Sequence, residues 1–152
     1  MSTSLHQTAR TVTRARVSAV IVRPLIASCV LLSAVVHLFL WADGMKTVPV
    51  VGPAFLVNGV GGIVLGIVLL AWPHPLPLLG TIAFGLGTLG AFLISTTSGG
   101  FFGVHETWSG VPEQLSAWSE IGAIVLAVLA LVAERPSLQP RTPSPDAHHP
   151  ER

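Results

Sequence analysis

The chain has 152 residues, of which 51% are hydrophobic and only 10% charged, and its formal net charge is +1. Its mean hydropathy of +0.71 is that of a lipid-embedded polypeptide rather than a soluble one. The length leaves no room for a separate soluble catalytic domain beside the apolar stretches, and the near-neutral charge gives no footprint for nucleic acid.

Residues 1–16 are rich in Ser, Thr and Arg without apolar periodicity and predict a flexible basic arm, able to rest on anionic headgroups. Four apolar stretches follow, at 24–41, 51–72, 76–96 and 115–133, holding a single acidic residue, Glu120. Each has the length of roughly 17 to 25 residues that one helix needs to cross a bilayer. Residues 17–135 are therefore expected to be an all-α integral membrane domain, a four-helix bundle of antiparallel up-down topology. Arginines followed by an apolar run also resemble a signal peptide, but the run is long and Trp41-Ala42-Asp43-Gly44 is a poor cleavage site, so the first stretch counts as a span.

Seven of the eight basic residues lie on the tails: Arg10, Arg14, Arg16 and Arg23 before span one, and Arg135, Arg141 and Arg152 after span four. The positive-inside rule then places both termini in the cytoplasm, with the loops 42–50 and 97–114 outside. Those loops carry Asp43, Glu106 and Glu113 against Lys46 alone. Cys29, the single cysteine, lies within span one and excludes an intrachain disulfide.

Between spans two and three, Trp72-Pro73-His74-Pro75-Leu76-Pro77 predicts a short extended connection and makes those spans antiparallel neighbours. Trp72 belongs at one interface and Trp41, Trp108 and Trp118 at the other. Spans two and three are rich in glycine. Gly62-x-x-x-Gly66 and Ala83-x-x-x-Gly87-x-x-x-Ala91 are small-residue seams that let backbones approach, so these spans are expected to form the tight centre of the bundle, with Ala123-x-x-x-Ala127 a weaker seam in span four. The string Gly85-Leu86-Gly87-Thr88-Leu89-Gly90 matches a dinucleotide fingerprint, but no strand precedes it and it lies within lipid. Residues 136–152 contain five prolines and predict a disordered tail, on which the pair His148 and His149 signals little.

Ionisable groups inside a bilayer are costly and usually face the bundle interior. Here they are His37, about 6 Å from the outer end of span one, and Glu120, about 7.5 Å into span four. Asn58 lies roughly 10 Å deep in span two, and Ser95 and Thr96 close span three. The outer half is thus polar and the inner half apolar, as in a pocket open outward beneath the glycine-rich loop 98–108. His37, Asn58 and Glu120 form the candidate cluster, with His105 and Glu106 as loop candidates. A His and a carboxylate can share a proton, hold a divalent metal or orient a polar ligand. None of their spacings is a metal signature, so metal and cofactor remain unassigned. The structural alternative, a His37–Glu120 pair stitching span one to span four with Asn58 completing the network, stands ahead of catalysis.

The plan of a His near the end of span one, Asn-Gly in span two, Phe-Gly-x-His-Glu in the outer loop and an acid opening span four resembles uncharacterised small membrane proteins of high-GC bacteria, over Arg23 to Arg135. That resemblance implies a four-span fold and no particular activity. DoxX-like proteins share the architecture only. Small multidrug transporters carry their glutamate in the first span rather than the fourth. The leading expectation is a noncatalytic accessory component of the cytoplasmic membrane, meeting a membrane-protein partner or a second copy through Gly62, Gly66 and Gly87. The second is an outward-facing binding or transport protein that uses the His/Glu/Asn cluster.

Overall fold

A computed structural model describes residues 18–134. The basic arm, the Pro-rich tail, His148 and His149 lie outside the described residues. A π-helical turn, Ser18–Val22, runs into α1 (Arg23–Ala42), and a 3-10 turn, Met45–Thr47, leads to α2 (Val51–Ala71). Then come α3 (Pro75–Ser95) and α4 (Val111–Glu134). All four helices are long and apolar enough to cross a membrane. The described residues contain no strand, only an isolated bridge between Phe101 and Val104. The chain is an all-α four-helix bundle and a small multi-pass membrane protein.

Proline marks each helix start. Pro24, Pro53, Pro75 and Pro112 all fall in first turns, where a missing N–H leaves no intrahelical bond unmade. Pro75 and Pro77 therefore begin α3 instead of extending the preceding connection, which shrinks to Trp72–His74, and the His74 ring Nδ1 accepts from Leu76 N at 3.2 Å. Pro112 has a larger effect. It opens α4 four residues before the expected start at 115, which moves Glu113 from the loop into a helical turn. At the other end of α3, the hydroxyls of Ser95, Thr96 and Thr97 donate back to the carbonyls of Phe92, Leu93 and Ile94 and close the helix.

The glycine seam of α2 faces α1 rather than α3. A Cβ on Gly62 would stand 2.9 Å from the Ala34 Cβ, and one on Gly66 would stand 2.9 Å from Leu31 Cδ2. This is the most extensive helix contact, and α4 packs against both α1 and α3. The expectation that α2 and α3 form the tight centre is corrected: their contact is sparse. Phe84 of α3 is wedged against Gly61 and Gly62, and Leu65 against Gly80, so bulky side chains fill the gap that small residues on both helices were expected to close. Small-residue motifs name a face that can be approached, not the helix that approaches it.

The apolar core lies in the half of the bundle near the chain ends. Ile26, Leu69, Leu78, Ala123, Ala127 and Ala130 pack there, each 2% exposed or less. The same end carries a polar staple. Arg23 sits inside it, its guanidinium donating to Glu134 through Nε (3.2 Å) and Nη2 (2.8 Å) and to the carbonyls of Trp72 (3.2 Å) and His74 (3.0 Å). One side chain thereby joins the start of α1 to the end of α4 and to the α2–α3 connection. Val57, Val64, Ile67, Leu86, Leu93 and Val125 point outward as an apolar sleeve that suits lipid.

Candidate functional site

At the opposite, loop end the four helices diverge around a cavity of about 400 Å³. Its wall is mostly apolar, including Phe55, Phe84, Phe92 and Phe101. Polar groups come from every helix: His37 from α1, Asn58 from α2, Thr88 and Ser95 from α3, and Glu113, Ser116 and Glu120 from α4.

The deepest polar group is a four-residue network between α1 and α4. Ser33 and His37 are one turn apart on α1, as are Ser116 and Glu120 on α4, so each pair projects from one face. Glu120 Oε1 accepts from Ser33 Oγ at 2.7 Å and from Ser116 Oγ at 3.0 Å. The two hydroxyl oxygens lie 3.3 Å apart, and each approaches His37 Nδ1, at 3.4 and 3.5 Å. His37 Nδ1 also lies 2.9 Å from the carbonyl oxygen of Ser33. A carbonyl only accepts, so in the neutral ring the proton sits on Nδ1 and Nε2 is left as an acceptor. Phe55 packs against this ring with centroids 5.1 Å apart.

The expected direct His37–Glu120 pair is thus replaced by a serine-bridged one. The early start of α4 is the reason. Glu120 lies nine residues into α4 and Ser33 nine residues before the end of α1, about 13.5 Å from either helix end, so the acid is level with Ser33 and not with His37. Burial agrees with this depth: Glu120 is 3% exposed and His37 7%. Asn58 lines the same cavity but belongs to a separate contact, across the sparse α2–α3 seam. There Thr88 Oγ1 lies 3.2 Å from Asn58 Oδ1 and 2.9 Å from the Phe84 carbonyl, with one proton to serve both.

A short hairpin covers the cavity from the α3–α4 loop. Phe101 and Val104 exchange both backbone hydrogen bonds, at 2.8 and 3.0 Å, around Phe102 and Gly103, whose positive φ values of 49° and 80° match a type I′ turn. Phe101 and Val104 face the cavity. Glu106 N donates to Ser95 O at 3.2 Å, and Gln114 Nε2 to Trp108 O at 2.7 Å, tying the loop to both helices. Trp108 meets Phe92 edge to face at 4.7 Å.

The loop candidates separate. Glu106 turns into the cavity, whereas exposed His105 turns back, its Nε2 lying 3.2 Å from the Ser98 carbonyl and its ring close against Gly100. Burial, and then the neighbouring charge of Glu113, push the Glu106 carboxyl above the ordinary carboxylate range. Glu113 folds back over Gly110 at the start of α4, where a negative charge is favoured, and its Oε2 is the one buried side-chain atom without a hydrogen-bond partner among the described residues. Among the described residues no three His, Cys, Asp or Glu side chains converge as a metal site requires, so His37, His105, Glu106 and Glu120 do not form the N/O ligand set that their types allow.

Of the packing glycines, Gly62 and Gly66 lie beneath α1, but Gly87 is part of the cavity wall, with no atom within 4 Å of where its Cβ would stand. Sequence reasoning missed Ser33 and Thr88 and read Ser116 only as marking a helix start; the spacing of four that joins Ser33 to His37 and Ser116 to Glu120 was the available signal. Comparisons of the chain with protein-family models, with curated proteins and with solved structures find no match.

Proposed function

We propose that the protein is a membrane receptor or carrier for a small, largely apolar molecule, held in the cavity at the loop end with its polar group toward the Ser33–His37–Ser116–Glu120 network. The observation that carries this reading is a chamber of about 400 Å³ with apolar walls and a buried carboxyl and imidazole at its floor. Mostly apolar clefts of this size with a few converging polar groups are the usual form of small-molecule sites. The arginine-rich tails support both termini lying on the cytoplasmic side, which directs the chamber and its hairpin outward. The accessory-subunit alternative loses part of its support, because Gly62 and Gly66 are already occupied by α1 within the chain.

The test uses naphthylmethanol, a neutral apolar probe, titrated calorimetrically into the protein in lipid nanodiscs with empty discs subtracted. Saturable one-to-one binding is expected, weakened at least about tenfold by Gly87→Leu, which puts an isobutyl group into open cavity space. Equal binding by the variant, or no saturable binding of this alcohol or of the amine and carboxylate built on the same ring, would refute the reading.

A further inference from the structure

The donors and acceptors at the cavity floor are unevenly used. Both serine hydroxyls spend their protons on Glu120 Oε1. Glu120 Oε2 and His37 Nε2 make no hydrogen bond to a described residue, although both side chains are more than nine-tenths buried and line the cavity. Neither atom is sealed in protein, since the only buried unpartnered side-chain atom among the described residues is Glu113 Oε2. With its proton on Nδ1, His37 presents a lone pair at Nε2, and a carboxylate oxygen can only accept. The Ser95 hydroxyl is engaged with the Phe92 carbonyl at 2.6 Å, and the Thr88 proton is shared between two acceptors. Apart from the Asn58 amide, whose N–H groups make no hydrogen bond to a described residue, the Glu120 and His37 part of the floor asks its occupant for N–H or O–H groups.

Charge narrows the class. Three carboxyl groups line the cavity, from Glu106, Glu113 and Glu120, while Arg23 and Lys46, the only Lys or Arg side chains among the described residues, do not. Four phenylalanine rings complete the wall, and aromatic faces attract cations. A carboxylate in such surroundings is stabilised by a cation and disfavours a second anion.

On the basis of the cavity reading above, we infer that the occupant is a lipophilic amine, an apolar body bearing a primary or secondary ammonium that donates to the Glu120 carboxylate and to His37 Nε2. An ammonium meeting the carboxylate and a free amine taking the proton of the carboxylic acid give the same bound pair, so no other reactant is needed. Glu106 and Glu113 add attraction at the mouth.

Three probes sharing one ring system test the inference: naphthylmethylamine, naphthylmethanol and naphthoate, each titrated into the protein in nanodiscs. The amine should bind about tenfold or more tighter than the alcohol, as one charge-assisted hydrogen bond implies, and naphthoate should bind weakest. Glu120→Gln keeps the acceptor for Ser33 and Ser116, and should bring the amine to the level of the alcohol. Equal binding of amine and alcohol by the unmodified protein, or tightest binding of naphthoate, would overturn the amine assignment and leave the cavity reading standing. An undiminished amine preference in Glu120→Gln would overturn the role given to that carboxylate. Failure of all three probes to bind would remove the cavity reading and the amine assignment together.

Discussion

Replacing Arg23 with methionine removes every polar contact of the staple at the chain-end half of the bundle and keeps much of its aliphatic volume. Two charge-assisted bonds to Glu134 and two to the carbonyls of Trp72 and His74 are lost. Breaking a buried ion pair costs roughly 3–5 kcal/mol, chiefly because the orphaned charge stays buried. The Glu134 side chain is 18% exposed against 3% for Arg23 and is not left without a partner, so the loss should fall at the lower end, about 3 kcal/mol. Arg23→Lys keeps the charge as a single point without the planar fork, and about half the loss is expected, ~1.5 kcal/mol. Stability can be read by titrating dodecyl sulfate into maltoside micelles and following the fluorescence of Trp72 with the other tryptophans changed to Phe. Trp72 stacks on His74 with centroids 4.8 Å apart, beside the carbonyls Arg23 engages, so it reports on this end. Arg23 is ten residues, about 15 Å, along α1 from Ser33, and probe binding in the cavity should be unchanged. A methionine variant within about 0.5 kcal/mol of the unmodified protein, or a lysine variant as damaged as the methionine one, would refute this account.

Two further outcomes follow from the packing and from Glu106. Gly62→Leu drives a side chain into the Ala34 Cβ, which has no rotamer to yield, and should cost about 2–3 kcal/mol in the same titration, whereas Gly87→Leu should stay within about 0.5 kcal/mol. Because the carboxyl of Glu106 is raised in the folded protein, the native state binds its proton more tightly than the unfolded chain does. Stability then falls as pH rises from the ordinary carboxylate value through the raised one. Glu106→Gln should accordingly stabilise the protein at neutral pH and change little near about pH 4, as thermal scans at the two pH values would report. Equal effects at both would show that the carboxyl is not perturbed.

The spans were legible because lipid demands a long apolar run and little else competes with that signal. The start of α4 was harder: Val111-Pro112-Glu113-Gln114 has loop-like polarity, and only Pro112, read as a first-turn residue, points to helix. That four-residue difference decides which group on α1 the acid meets, so His37 and Glu120 were found individually while Ser33 between them was not. Gly62 and Gly66 were identified as an approach face, but the choice of α1 over α3 depends on where Phe84 lodges, which no local motif encodes. The Arg23–Glu134 bond joins residues 111 apart, and Arg23 was legible only as a topological charge.

The staple and the cavity occupy opposite ends of the bundle, which gives the molecule a mechanical polarity. One end is clamped by a guanidinium that reaches two helix termini and a connection. Above the Ser33–Glu120–Ser116 hydrogen bonds, the other is held by a Thr88 proton divided between Asn58 and the Phe84 carbonyl and by a hairpin anchored through a few loop contacts. Local opening is drawn from the least-contacted parts of a structure. Breathing should therefore be confined to the rim around the chamber while the base keeps its shape.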